Sequence, residues 1–282
     1  FRGKRLDNGE WVEGYFCNES CASLTGPTFE EANIIRKGSV FWHPVNPKTV
    51  GQYTGLVDKN GKKMSKHVGN TVNPFEMMDK YGTDAVRWYL VYGSPAWTPT
   101  KFDEDGIREV ISKVFSTLRN TYNFFCLYAN IDKVEKKHLD VPYADRPELD
   151  RWIISKYNRL INATTEAMDE YDHMKTVRAI GDFIDGDLSN WYIRTNRRRF
   201  WKTEDEKDKM IAYWTLFTAL NACVKTMAPI IPFMTESIWQ NLIRRVMPSV
   251  ELSVHLSDWP TVIEGFEDES IIEKTAFARD II

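Results

Sequence analysis

Lys62-Lys63-Met64-Ser65-Lys66-His67-Val68-Gly69-Asn70 divides this 282-residue chain into two unlike parts. Ahead of it the sequence is broken by turns and short β runs. Behind it, apolar residues recur with the period of a helix. The stretch itself gathers lysines, a hydroxyl and a glycine into one short loop. Lysine is a compact charge on a flexible stem, which suits phosphate oxygens whose charge grows as a phosphoryl bond breaks. Taken alone, Lys-Met-Ser-Lys also reads as a solvated turn. A Walker A loop does not fit: Gly55 to Gly61-Lys62 is one residue too long, and Lys63 stands where Ser or Thr is required.

Composition narrows the classes. The chain is 43% hydrophobic and 27% charged, as soluble globular proteins are. No run nears the ~18–20 uncharged apolar residues of a membrane span, so no membrane is expected. Phe1-Arg2-Gly3-Lys4-Arg5 has no apolar run behind it, unlike a signal peptide, and without a starting Met the first residues are expected to be missing. Four cysteines in no regular framework point to a reducing, cytoplasmic setting. Cys17, Cys21 and His43 lack a fourth ligand, so no metal is expected. At a net charge of −3, RNA contact needs a local basic patch.

Upstream of the loop, Asn8-Gly9 is a hairpin signal. Partial alternation follows through residues 10–16, and Ser39-Val40-Phe41-Trp42 is a further β run. Asn60-Gly61 is a second hairpin signal. Downstream, Asn73-Pro74-Phe75-Glu76 reads as a capped helix start, Tyr81-Gly82 as its stop, and Thr83-Asp84 as the next cap. Ile107, Val110, Ile111, Val114, Leu118, Tyr122 and Phe125 form one apolar stripe. Trp152, Ile153, Tyr157, Leu160 and Ile161 form another. A third helix is expected over about 176–201, with Val177, Ile180, Ile184, Leu188 and Trp191 on one side and neighbours packed closely at Gly181 and Gly186. A further helix over about 204–227 and, after a break at Ala228-Pro229-Ile230-Ile231-Pro232-Phe233, a last helix to about Arg245 complete an antiparallel bundle. The expected fold class is α+β and multidomain: a β-rich module (1–61), a loop with connecting helices (62–102) and a helical bundle (103–282).

Two resemblances accompany these patterns. Phe1-Arg2-Gly3-Lys4-Arg5 and Val50-Gly51-Gln52-Tyr53-Thr54-Gly55-Leu56 resemble the phage-associated YopX family. From about Lys62 onward the chain resembles the isoleucyl branch of the class I aminoacyl-tRNA synthetases. That likeness rests on Lys63-Met64-Ser65-Lys66, Gly69-Asn70, Asn73-Pro74, and Lys80-Tyr81-Gly82 with Asp84-Ala85-Val86-Arg87. It rests also on Asp187-Leu188-Ser189-Asn190-Trp191-Tyr192-Ile193-Arg194, on Arg197-Arg198-Arg199-Phe200-Trp201, and on Met227-Ala228-Pro229-Ile230-Ile231-Pro232-Phe233. His67 departs from the family's second serine.

The resemblance implies ATP-dependent joining of isoleucine to tRNA(Ile), with Mg2+ accompanying ATP. Lys63, Ser65 and Lys66 are the expected catalytic residues, and Lys63 and Lys66 the ATP-binding ones. A helix bundle of the anticodon-binding type should carry the RNA. Arg194, Arg197 and Arg198 share one helix face, where like charges repel unless an anion sits opposite. RNA phosphate is one such anion, and Glu204 or Asp205 is another. Trp201 could stack an unpaired base, while Trp191 falls on the apolar stripe and is expected in the core.

No His-Ile-Gly-His-type motif is present, and the junction of the two resemblances is expected between Gly55 and Lys63. The piece is therefore expected to bind tRNA and to be inactive alone. The alternatives are a phage-type interaction module with an unknown protein partner and a scaffold tail, or a helical assembly protein without an RNA role.

Overall fold

The computed structural model describes residues 56–281, apart from 66, 96–97, 135–144 and 202–205, together with the backbone of four strands in residues 1–55. The chain forms two compact units, Phe1–Gly55 and Leu56–Ile282.

In the first unit, β1 (Arg2–Lys4), β2 (Trp11–Cys17), β3 (Ala32–Arg36) and β4 (Trp42–Val45) lie side by side in that order, every pair antiparallel. Gly3 pairs with Val12, Tyr15 with Ile35 and Ile34 with His43. Pro44, which has no N–H to donate, lies in the edge strand β4, where a missing ladder bond is tolerated. Asn8-Gly9, Cys21 and most of Val50–Leu56 lie outside the described residues, as do the side chains of Cys17 and His43.

The second unit begins with β5 (Leu56–Val57), parallel to β6 (Thr100–Lys101). Between them run α1 (Pro74–Tyr81) and α2 (Thr83–Gly93). The expected start of α1 is present in detail: Asn73 accepts the Phe75 N–H at 3.0 Å and donates to Glu76 at 2.9 Å. Gly82, at φ 87°, ends α1 in the left-handed region that glycine adopts without strain. The expected Thr83-Asp84 cap is corrected. No side chain caps α2, and Asp84 is buried and turned to another helix.

The bundle comprises α3 (Glu104–Val110), α4 (Ser116–Asp132), α5 (Glu148–Asp169), α6 (His173–Asp182), α7 (Arg194–Trp201) and α8 (Glu206–Met227). It continues through α9 (Pro232–Ile238) and α10 (Arg244–Val246) to a final α11 (Glu269–Ile281), which packs on α5 and which the sequence reading did not anticipate. Residues 111–115, 183–193 and 239–243 are π-helical, joining α3 to α4, α6 to α7 and α9 to α10.

The π segment at 183–193 changes which side chains face inward. Ile180, Ile184, Leu188, Tyr192, Asn196 and Phe200 are all buried, a step of four residues each time. Bonds from i to i+5 widen the turn beyond 3.6 residues, so the inward stripe passes to Tyr192. Trp191 is partly buried against the core, with Arg279 over its ring at 5.3 Å. Neighbours pack at contact distance of the mid-helix glycines, Val114 at Gly181 and Arg279 at Gly186, without crowding them. A Cβ on Gly181 would meet Val114 at an ordinary 3.6 Å, whereas one on Gly106 would overlap the Tyr89 ring.

Candidate functional site

The lysine loop is built on side chains at its two ends. Asp58 Oδ1 accepts the N–H groups of Asn60 at 2.9 Å and Lys62 at 2.8 Å, closing a turn in which Gly61 takes φ 78°. Val57 bridges Lys63 in antiparallel fashion, so the Asn60-Gly61 hairpin signal corresponds to a real turn. At the far end Asn70 Oδ1 accepts the Ser65 N–H at 2.8 Å. Its Nδ2 donates to Asp58 Oδ2 at 2.9 Å and to the Lys63 carbonyl at 3.2 Å. The bond from Asn70, followed by the Lys62 N–H, holds the Asp58 carboxyl below the usual carboxylate range. Lys62 and Lys63 are exposed, and Ser65 is half-buried and accepts the His67 N–H. Lys66 lies outside the described residues.

This geometry suits a polyphosphate: exposed ammonium groups follow one another on a backbone fixed from behind, beside a hydroxyl. Among the described residues no three His, Cys, Asp or Glu side chains converge as metal ligands.

The second candidate surface is α7. Arg194, Arg197 and Arg198 are all exposed, and among the described residues none is paired with an acid. Glu204 and Asp205, the internal anions considered for them, lie outside the described residues. Trp201 is 52% exposed and its ring lies 6.4 Å from that of Tyr128. Cations and an exposed aromatic thus stand together on one short helix, the mixture that phosphates and unstacked bases require.

Arg199, next in sequence, does something else. It forms a bidentate pair with Asp150 at 2.9 Å on both arms and meets Asp208 at 2.6 and 2.8 Å. Asp150 is fully buried and also accepts the Tyr192 hydroxyl. Burial opposes the Arg199 charge, but the bonds to Asp150 and Asp208 outweigh it and raise its pKa. Burial and then the Asp150 charge push the Tyr192 hydroxyl well up. Arg199 thus anchors α7 to α5 and α8 while its neighbours face outward. Neither this anchor nor the Asp58–Asn70 pair was singled out from sequence. The Asp58-x-Asn60-Gly61 turn pattern is the local signal that could have marked Asp58.

Comparisons with known proteins bear on both the loop and the bundle. The class I tRNA synthetase family (I, L, M and V) matches residues 46–103, starting upstream of the Gly55–Lys63 interval, and the anticodon-binding domain of tRNA ligases matches residues 150–282. Two solved structures share the fold. A LeuRS–tRNA–LeuAMS ternary complex from Agrobacterium radiobacter K84 has a TM-score of 0.54 at 20% identity, over 76% of this chain and 24% of that one. Methionyl-tRNA synthetase from Mycobacterium tuberculosis, bound to methionyl-adenylate, has a TM-score of 0.53 at 21% identity, over 71% of this chain and 40% of that one. The fold and the matched segments define a class I tRNA synthetase.

Sequence relatives narrow the class. The isoleucine–tRNA ligase of Cytophaga hutchinsonii is 49% identical over 228 residues, 80% of this chain and 20% of the relative. That of Bacteroides thetaiotaomicron is 42% identical over 276 residues, 98% of this chain and 24% of the relative, so the likeness reaches into residues 1–55. That of Thermus thermophilus is 43% identical over 217 residues, 77% of this chain and 21% of the relative. The chain belongs to the isoleucine–tRNA ligase family and spans 20–24% of the length of these relatives. The scaffold-tail and assembly-protein alternatives lose their basis, because the helices they invoke are those of an anticodon-binding domain.

Proposed function

We propose that this chain supplies the lysine loop and the tRNA-holding bundle of an enzyme that joins isoleucine to tRNA(Ile) at the expense of ATP, in the cytoplasm. The observation that carries the tRNA part is the exposed row Arg194, Arg197 and Arg198 beside Trp201, paired with no acid among the described residues. Repulsion along that row is relieved when phosphates lie against it, and Trp201 offers a face to an unstacked base. Residues 1–61, 62–102 and 103–282 act as module, loop segment and bundle.

In the activation step the carboxylate of the amino acid attacks the α-phosphate, and pyrophosphate departs. ATP, with Mg2+, supplies the anhydride that is broken. Lys63 and Lys66 offset the charge gathering on the phosphate oxygens, and Ser65 offers a hydroxyl between them. A single well-aimed donor of this kind is worth ~3–4 kcal/mol of barrier. The contribution of this chain is binding and orientation, so isoleucine-dependent exchange of pyrophosphate into ATP is expected to be absent from the chain alone.

Filter binding of tRNA(Ile) over a salt series tests the tRNA part. Affinity should fall steadily as salt rises, because each neutralised phosphate releases counterions. Salt-independent binding, or no binding at low salt, would overturn it.

A further inference from the structure

The Asn70 amide reaches both flanks of the lysine loop: its oxygen holds the Ser65 N–H at 2.8 Å and its nitrogen the Lys63 carbonyl at 3.2 Å. The same nitrogen donates to Asp58 at 2.9 Å, and the other Asp58 oxygen holds the N–H groups of Asn60 and Lys62. Two side chains twelve positions apart thereby fix the backbone at Lys62, Lys63 and Ser65. We propose that Asn70, anchored by Asp58, is a positioning residue for phosphate binding at this loop. It holds the backbone that carries Lys62 and Lys63 before any phosphate arrives, so less ordering remains to be done on binding. The inference rests on the reading of the loop as a phosphate-handling element.

The pair can be exchanged. Asn70→Asp sets a carboxylate against Asp58 and removes both donated bonds. Asn70→Ala removes all of them without adding charge. In the double variant Asp58→Asn/Asn70→Asp the amide and carboxylate trade places. The new amide donates to the new carboxylate, and the N–H groups of Asn60, Lys62 and Ser65 keep their acceptors. At the Lys63 carbonyl the donated bond is replaced by a carboxylate oxygen facing another acceptor, so rescue is partial, while the net charge matches that of the wild type.

Inorganic tripolyphosphate is titrated into the isotope-labelled full chain at low salt while the Lys62, Lys63 and Ser65 amide resonances are followed, with a thermal melt of every variant. Asn70→Ala and Asn70→Asp should each lose about tenfold or more in affinity, and the exchanged pair should bind more tightly than Asn70→Asp, recovering part of that loss. Melting temperatures should stay together, because the loop is at the surface. Wild-type affinity in Asn70→Ala, or an exchanged pair as weak as Asn70→Asp, overturns the inference alone. No saturable shift in the wild type overturns the phosphate reading of the loop and the inference with it.

Discussion

The Asp84 carboxylate accepts the backbone N–H of Met234 at 2.7 Å across 150 residues of chain. It also receives the Phe233 N–H at 3.4 Å, so a residue of α2 caps the start of α9. Arg87, one turn further along α2, donates to the carbonyls of Ile230 at 2.7 Å and Pro229 at 3.3 Å. Two segments of the sequence that read as separate signatures, residues 80–87 and 227–233, are the two halves of one joint. That joint ties the helices following the lysine loop to the bundle.

Asp84→Ala strips the cap from α9 and leaves two part-buried N–H donors without their partner. The expected cost is about 1–3 kcal/mol, read as a lower urea midpoint at unchanged slope.

The same carboxyl gives a pH dependence. Burial lifts the Asp84 pKa above the ordinary Asp range, against the pull of the Met234 and Phe233 N–H groups and Arg87. A carboxyl raised in this way holds its proton more tightly when folded. Its contribution to stability is full below the unfolded value of about 3.9 and is lost as pH rises through the folded pKa. Asp84→Asn has no proton to lose. The stability of wild type minus that of Asp84→Asn should therefore decline from about pH 4 toward neutrality in denaturant titrations. A flat or rising difference contradicts the assignment.

Arg198 and Arg199 should separate function from stability. Arg199→Ala leaves Asp150 charged and fully buried, which typically costs about 3–5 kcal/mol. Arg198→Ala should stay within about 0.5 kcal/mol of wild type in unfolding yet weaken tRNA binding and shallow its salt slope. Calorimetry and filter binding on the same preparations check both.

Two glycines should respond in opposite senses to alanine. Tyr89 is held by its hydroxyl, which donates to the Lys101 carbonyl and accepts the Asp103 N–H, so the ring cannot retreat from a methyl at position 106. Gly106→Ala should destabilise by about 1–3 kcal/mol. Gly181→Ala meets only ordinary contact with Val114 and gains helix propensity, so it should be neutral or stabilising by up to about 1 kcal/mol. Thermal melts decide between the two directions.

The helices were legible where their signals are local. Asn73, Pro74 and Glu76 cap α1 through atoms within three residues of one another, and Ile107, Val110, Val114, Leu118 and Phe125 of the expected stripe are buried in spite of the short π segment at 111–115. The lysine loop and the arginine row were legible for the same reason, since their candidate chemistry lies in contiguous residues. Asp84 was misjudged because the short-range rule assigns an acid near a helix start to its own helix. Here the N–H groups left open belong to α9.

By itself the sequence determined a largely helical chain with cations gathered at residues 62–66 and 194–199, because periodicity and charge spacing act over a turn or two; the anticodon-binding type of that bundle came from family resemblance alone. Tertiary structure alone decided which cations are spent inside and which are left outside. Arg199 is consumed by Asp150 and Asp208, Arg198 is not, and their side chains differ only in the direction the packed helix α7 points them. Direction relative to a distant carboxylate is a property of the packed bundle, and no local pattern encodes it.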